Sequence, residues 1–246
     1  LRHEFLYWYP MDLRVSGKDL IRNHLTMALY NHAGIWKSEP HLWPKSYFTN
    51  GHVMVDGVKM SKSKGNFILL ADAIETNNVH HKRNAKGELE WKPQSWSADA
   101  LRLALADGGD TNDDANFESE TANMSILRLT QDLAWITEIC NACNGVNNST
   151  ISLRKSGTAL TTMDKVFHSK MNELIADADY QYSRQQFKSA LKSCFYEMGN
   201  ARNQYVNYHK LAKLSMHEDV VMRYIKAFVI MLSPICSHWS EYVWMD

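Results

Sequence analysis

The sequence has no excess of charge of either sign: 27 Lys or Arg face 27 Asp or Glu over 246 residues. A dominant electrostatic partner is therefore not advertised by the chain as a whole. Cysteine is scarce, with only Cys140, Cys143, Cys194 and Cys236. Four cysteines at irregular spacing do not make a disulfide framework, and they suit a reducing compartment. Cys140 and Cys143 form a single C-x-x-C without a second ligand pair at zinc spacing. Both fall in a helical pattern, so they read as packing residues and no protein-bound metal is expected. No apolar run approaches the roughly 20 residues of a membrane helix, so no membrane partner is expected. An initiator Met is also missing. The chain opens at Leu1, directly in apolar sequence, and reads as a segment of something longer.

What is present is a chain that is 45% hydrophobic, enough for one large domain or two modest ones. Its charge is uneven. Residues 99–120 hold seven acids (Asp99, Asp107, Asp110, Asp113, Asp114, Glu118 and Glu120) against Arg102. Residues 151–215 hold ten Lys or Arg against five acids. That basic stretch is either a solvated helix surface or a face for an anion such as a nucleic acid.

The pattern divides the chain near residues 113–116. Before it, "YWYPMDLRVSG" has the aromatic and β-branched residues of a short buried strand. Ser16 is placed to cap the helix that follows, with Asp19 in its first turn. Leu20, Ile21, His24, Leu25, Ala28 and Leu29 then recur at helical spacing. "GHVMVDG" is a second strand candidate, and "FILLADAIE" begins another helix. Residues 76–95 are polar and read as an exposed insertion or long loop. Ser97 is placed to cap "ADALRLALADG". Beyond residue 116 the signal is helical. One stripe runs through Ile126, Leu129, Leu133, Ile136 and Cys140, and a second helix spans about residues 162–178. A third begins at a capping box, Ser183-x-x-Gln186, with a stripe of Phe187, Ala190, Leu191, Cys194, Phe195, Met198, Ala201 and Tyr205. The last carries Val220, Val221, Tyr224, Ile225, Phe228, Leu232, Ile235, Trp239 and Tyr242, with Pro234 dividing it. The expected architecture is α/β over residues 1–115, then an all-α four-helix bundle over residues 116–246.

One string concentrates the chemistry. "GVKMSKSKGN" packs Lys59, Lys62 and Lys64 between Gly57 and Gly65. The glycines let a loop move or approach a ligand, Lys59 and Lys62 can reach one anion, and the serines add donors. No G-x-x-x-x-G-K-[ST] phosphate loop is present, yet the chemistry is related: flexible cations that neutralise charge developing on phosphates.

The five residues 59–63, K-M-S-K-S, match the signature loop of class I aminoacyl-tRNA synthetases at every position. "YWYPMDLRVSGKDLIRNHL" resembles the leucyl-tRNA synthetases of the eukaryotic cytosolic and archaeal type. "RLALADGGDTNDDANF" resembles the segment leading into their helical domain, and "SPICSHWSEYVW" the closing helix of the bundle in the leucyl, isoleucyl and valyl group. The resemblance covers almost the whole chain. It implies a partial Rossmann-type nucleotide-binding domain followed by an anticodon-binding-type bundle. It implies leucine, ATP with Mg²⁺ and tRNA(Leu) as substrates, and a cytoplasmic location. In that family the amino-acid carboxylate attacks the α-phosphate of ATP and pyrophosphate leaves, by positioning and electrostatics alone.

Carried over residue by residue, the resemblance makes Lys59 and Lys62 the catalytic cations. It assigns ATP contacts to Gly17, Asp19, His52, Met54, Lys59, Met60, Ser61, Lys62 and Ser63, and leucine contacts to His24 and Tyr9. In the bundle it points to Lys165, Lys170, Arg184, Lys188, Lys192 and Arg202 as a face for tRNA backbone. Plainer readings stand beside these: Asp19 as a first-turn acid, Tyr9 as aromatic packing, His24 as a core histidine. The chain departs from the family in lacking the H-x-G-H string, the editing domain and the extension beyond the bundle. This segment alone is therefore expected to be inactive. The alternatives are a valyl, isoleucyl or methionyl enzyme, or a non-catalytic tRNA-binding module derived from a synthetase.

Overall fold

A computed structural model of the chain describes residues 1–60, 65, 67–74, 79–83, 89–93, 95–145 and 151–245. The chain opens with a helix, α1 (Arg2–Trp8), which buries none of its residues and takes in Tyr7 and Trp8 from the stretch read as a strand, residues 7–17. The reason is two side-chain pairs one helical turn apart. The Trp8 indole donates to Glu4 at 3.3 Å, and Phe5 stacks on Tyr9 with centroids 4.8 Å apart. Pro10 then holds Tyr9 extended and ends the helix. The strand comes later, as β1 (Arg14–Gly17), and it pairs in parallel with β2 (Tyr47–Asn50). Ser16 lies inside β1 opposite Thr49, so it caps nothing; the 3₁₀ turn Lys18–Leu20 starts after Gly17 without a side-chain cap. A π turn (Ile21–Leu25) and α2 (Thr26–Ile35) continue the helical run.

Val53–Val55 forms β3, central in a three-stranded sheet. Asp56 and Gly57, both at positive φ, turn it into the antiparallel β4 (Val58–Lys59). An Asp-Gly pair suits this two-residue hairpin turn. On the other side β3 pairs in parallel with β7 (Ala115–Phe117), within which the expected 115/116 division falls. Helix α3 is Leu70–Ile74. Residues 76–95, read as a loop, hold two antiparallel strands among the described residues: β5 (Val79–Arg83) and β6 (Leu89–Pro93). Helix α4 (Ala98–Gly108) is capped by Ser97, as its sequence implies.

The remaining helices are α5 (Ser119–Cys143), α6 (Thr162–Ser183), α7 (Phe187–Leu191), a π turn (Lys192–Glu197), α8 (Met198–Ala212), α9 (Glu218–Leu232) and α10 (Ser237–Met245). Their apolar stripes meet in one core that includes Leu129, Phe167, Met171, Phe195, Tyr205, Tyr224 and Phe228. Cys194 and Cys236 are buried in it, and Cys140 and Cys143 pack against it. Burial pushes the thiol of Cys194 up to about 11. A smaller core joins Ala73, Trp96, Ala100, Leu101, Phe117 and Ala122. Helix α4 feeds both cores, through Leu101 and Leu103. It also sutures the break at Pro234: Arg102 donates to the carbonyls of Ile235 and Pro234, and Asp99 accepts the Trp239 amide at 2.6 Å, satisfying the start of α10.

One helix start differs from expectation. Ser183 belongs to α6 and donates to the Tyr180 carbonyl, so it is not an N-cap. The α6 end closes instead around Gln185 at φ +59, with Gln186 N–H on the Gln181 carbonyl and Gln185 N–H on that of Tyr182. The capping box lies at the start of α6, between Thr161 and Asp164. Asp164 is fully buried and accepts from Arg154 (2.5 Å), Tyr205 (2.6 Å), the Thr161 amide (2.7 Å) and the Thr161 hydroxyl (2.8 Å). Arg154 belongs to β8 (Leu153–Arg154), which pairs in parallel with β9 (Met216–His217). These two short strands are the extended elements that the helical pattern did not reveal.

Candidate functional site

The parallel pair β1–β2 ends at Gly17 and Asn50, which lie opposite each other in the register. Carboxyl ends of parallel strands are where such sheets offer backbone groups to ligands. Asp19 stands just past the end of β1, exposed, in the first turn of the 3₁₀ segment. Its Oδ1 occupies space that a side chain at residue 17 would need: a Cβ built on Gly17 falls 2.7 Å from it. Glycine at 17 therefore lets the carboxylate fold back over the strand end. His52 follows Asn50 by two residues. Its amide donates to Asp114 at 2.8 Å and its carbonyl accepts from Ala115 at 2.9 Å, which aligns β3 with β7. Gly17, Asp19 and His52 are thus gathered at one end of the parallel pair.

Met54 and Lys59 sit opposite each other on β3 and β4, with Asn116 in the same row on β7. Paired residues project on one face of a sheet, so Lys59 leads into the signature loop from the face shared with Met54. Lys59 is exposed and Met60 half-buried. Ser61, Lys62 and Ser63 lie outside the described residues.

His24 lies on the π turn and is exposed, not a core residue. Its Nε2 is 2.6 Å from Arg14 Nη2. A guanidinium only donates, so Nε2 accepts and the proton of the neutral ring sits on Nδ1. Sequence reasoning did not single out Arg14; as the residue that opens β1 beside a helical histidine, it had no local signal. Tyr9 belongs to an aromatic cluster. Its hydroxyl accepts from the Trp36 indole at 3.0 Å, and its ring stacks near His32 and Phe5.

The six basic residues singled out in the helical part have different surroundings. Lys165 is exposed on α6, Lys188 is exposed on α7, and Arg184 stacks over the Tyr180 ring. Lys170 pairs with Glu173 at 2.7 Å and Lys192 with Glu197 at 3.7 Å, so acids interrupt the basic face. Arg202 is corrected. Its guanidinium turns inward to the buried Asp132 and lies 5.0 Å from the centre of the Trp135 ring. Leaving Asp132 unpaired in the core would be costly, so Arg202 is committed to the bundle interior and offers no charge to a polyanion. The readable signal was Asp132 itself, an acid in phase with Leu129, Ile136 and Ile139 on an apolar stripe.

Among the described residues no helix is long and apolar enough to cross a membrane. Residues 1–118 match the family model described as tRNA synthetases class I (I, L, M and V). Residues 164–246 match the anticodon-binding domain of tRNA ligase. The chain is 39% identical over 99% of its length to the cytoplasmic leucine–tRNA ligase of Pongo abelii, covering 18% of that protein. It is 41% identical over its whole length to the putative cytoplasmic leucine–tRNA ligase of Schizosaccharomyces pombe, covering 19% of it. It is 36% identical over 99% of its length to the leucine–tRNA ligase of Aeropyrum pernix, covering 22% of it. The chain thus spans about a fifth of the length of these relatives. Its fold is like that of the Agrobacterium radiobacter K84 agnB2 LeuRS, solved in a ternary complex with tRNA and LeuAMS. That match has TM-score 0.65 and 19% identity, covering 95% of this chain and 26% of that one. With a synthetase model over its first 118 residues, a tRNA-ligase model over its last 83 and leucine–tRNA ligases aligned along its whole length, the chain is similar to class I tRNA synthetases in two separate segments and to leucine–tRNA ligases throughout.

Proposed function

We propose that the whole protein is a cytoplasmic leucine–tRNA ligase. It joins leucine and MgATP into leucyl-adenylate and passes the leucyl group to tRNA(Leu). Residues 1–115 supply the part of a Rossmann-type catalytic domain that carries the signature loop, and residues 116–246 form a four-helix bundle that meets tRNA. One observation carries this reading: Gly17 and Asn50 end β1 and β2 side by side, Asp19 and His52 each follow two residues on, and β4 carries Lys59, the first residue of K-M-S-K-S. Gly17 lets the protein backbone approach the nucleotide and Asp19 accepts from the ribose hydroxyls. His52 and Met54 flank the adenine, and Met60, Ser61 and Ser63 shape the loop over the phosphates. Lys59 and Lys62 meet the charge that grows on the leaving pyrophosphate. His24, held by Arg14, and Tyr9 face the leucine. Lys165, Lys170, Arg184, Lys188 and Lys192 supply the cations for the tRNA backbone. The direct test is aminoacylation by the full-length protein: charging of tRNA(Leu) with leucine is expected, and charging with valine, isoleucine or methionine instead would overturn the assignment.

Asp19→Asn in the full-length protein is expected to weaken ATP binding by roughly tenfold, because a carboxylate accepts from two hydroxyls and an amide has one acceptor oxygen. Calorimetric titration with ATP reads this directly. A melting temperature that collapses with no selective change in ATP affinity would make Asp19 a first-turn structural acid instead.

A further inference from the structure

The acidic loop at residues 109–117 has no ATP contact in this reading, yet it touches the Gly17/Asp19 loop, β3 and the β3–β4 turn. Asp114 is the first link. Its Oδ1 accepts from Lys18 Nζ at 2.8 Å and from the His52 amide at 2.8 Å. One oxygen therefore joins the Gly17/Asp19 loop to the start of β3. Lys18 donates as well to the Asn112 carbonyl, at 3.0 Å. The Lys18 ammonium and the His52 amide hold the Asp114 carboxyl below the usual carboxylate range, so it accepts as an anion at neutral pH.

Asn116 is the second link. Its Oδ1 accepts from the Gly57 amide at 2.7 Å, inside the turn that sends β4 into the signature loop. Its Nδ2 donates to Glu118 at 3.1 Å, which fixes the orientation of the amide. The approach leaves no slack. A Cβ on Gly51 would lie 2.0 Å from the Asp113 carbonyl oxygen, so only glycine lets the β2–β3 connection run this close to the loop. The far end of the loop is tied to the helical part, where Asp110 accepts the Lys188 amide at 2.9 Å.

We propose that Asp114 and Asn116 are positioning residues for adenylate formation: Asp114 sets the spacing between the Gly17/Asp19 loop and β3, and Asn116 sets the direction in which the β3–β4 turn launches Lys59. The proposal rests on the ATP-site reading above. Neither residue touches the nucleotide. Each acts through backbone or lysine groups of segments that do. Transition-state charge is met only where the cations stand at the right distance, so a displaced launch strand costs rate more than ground-state binding.

The experiment uses the full-length protein and leucine-dependent ATP–pyrophosphate exchange, with rates normalised to active sites by titration of the adenylate formed. Asp114→Ala and Asn116→Ala are expected to lower kcat per active site by about 10–100-fold. The KM for ATP is expected to change by less than about threefold. Asn116→Asp keeps an acceptor for the Gly57 amide but sets a carboxylate against Glu118, and is expected to recover only part of the rate lost in Asn116→Ala. Asp114→Asn keeps the His52 acceptor but loses the anion facing Lys18, and is expected to fall between wild type and the alanine variant. Unchanged kcat per active site in the alanine variants, with only the active fraction or melting temperature reduced, would show a merely structural role and overturn the proposal. Absence of exchange in the wild type would overturn the functional reading and the proposal with it, a result visible before any variant is made.

Discussion

Lys62→Ala in the full-length protein is expected to slow leucyl-adenylate formation by about 10²–10³-fold, the usual loss when one preorganised charge donor is removed from a transition state. The reaction needs no protein nucleophile. In the proposed mechanism the barrier falls because charge moving onto pyrophosphate meets preorganised cations, a role assigned to Lys59 and Lys62, three residues apart in the sequence. Substrate binding precedes most of that charge movement, so the leucine KM should change far less than kcat. Pre-steady-state measurement of adenylate formation separates the two. An unchanged rate would remove Lys62 from the mechanism.

The largest stability effect is expected at Asp164. Burial pushes this carboxyl up, but hydrogen bonds from Arg154, Tyr205 and Thr161 outweigh it and hold the group well below its ordinary value of 3.8. Asp164→Ala strands the Arg154 cation, the Tyr205 hydroxyl and the Thr161 donors at once. Breaking a buried charge pair in this way costs about 3–5 kcal/mol. Asp164→Asn keeps one acceptor oxygen and should cost less. Hydrogen exchange at the amides of α6 and α8 reads the loss as faster local opening. The pH dependence has a definite sign. A carboxyl depressed in the folded state contributes its full stabilisation above the unfolded value near 3.8, and that contribution is lost as pH falls towards the folded value. Protection of α6 and α8 that is equal in wild type and Asp164→Ala at neutral pH would show that the cluster contributes nothing.

Local periodicity carried much of the helical part. The stripe from Ala190 to Tyr205 is buried as its spacing implies, and Pro234 divides the last two helices. Asp132 and Asp164 were also readable, since each sits in phase with apolar residues on its own helix and an acid there needs a buried partner. What could not be read was which partner. Arg154 is ten residues from Asp164 but reaches it from β8, and Arg202 is seventy residues from Asp132. The same holds for Asp99, which satisfies the start of a helix 140 residues away. The misreading of α1 had a local cause: aromatic residues suggest a strand, but the Glu4–Trp8 and Phe5–Tyr9 pairs favour a helical turn. At the candidate site the residue types were legible as strings, through the glycine and carboxylate at 17 and 19 and the lysines at 59 and 62. The struts that hold those strings in relation, Asp114 and Asn116, read only as part of an acidic run.

The account turns on one claim: the Gly17/Asp19 loop and the signature loop serve a single leucine-activating ATP site. Leucine-dependent ATP–pyrophosphate exchange by the full-length protein tests it most directly, run in parallel with valine, isoleucine and methionine. The account predicts exchange that depends on leucine, falls steeply in Lys62→Ala, and needs more ATP to saturate in Asp19→Asn. Exchange driven equally by the other amino acids, or by leucine but indifferent to both substitutions, would contradict it.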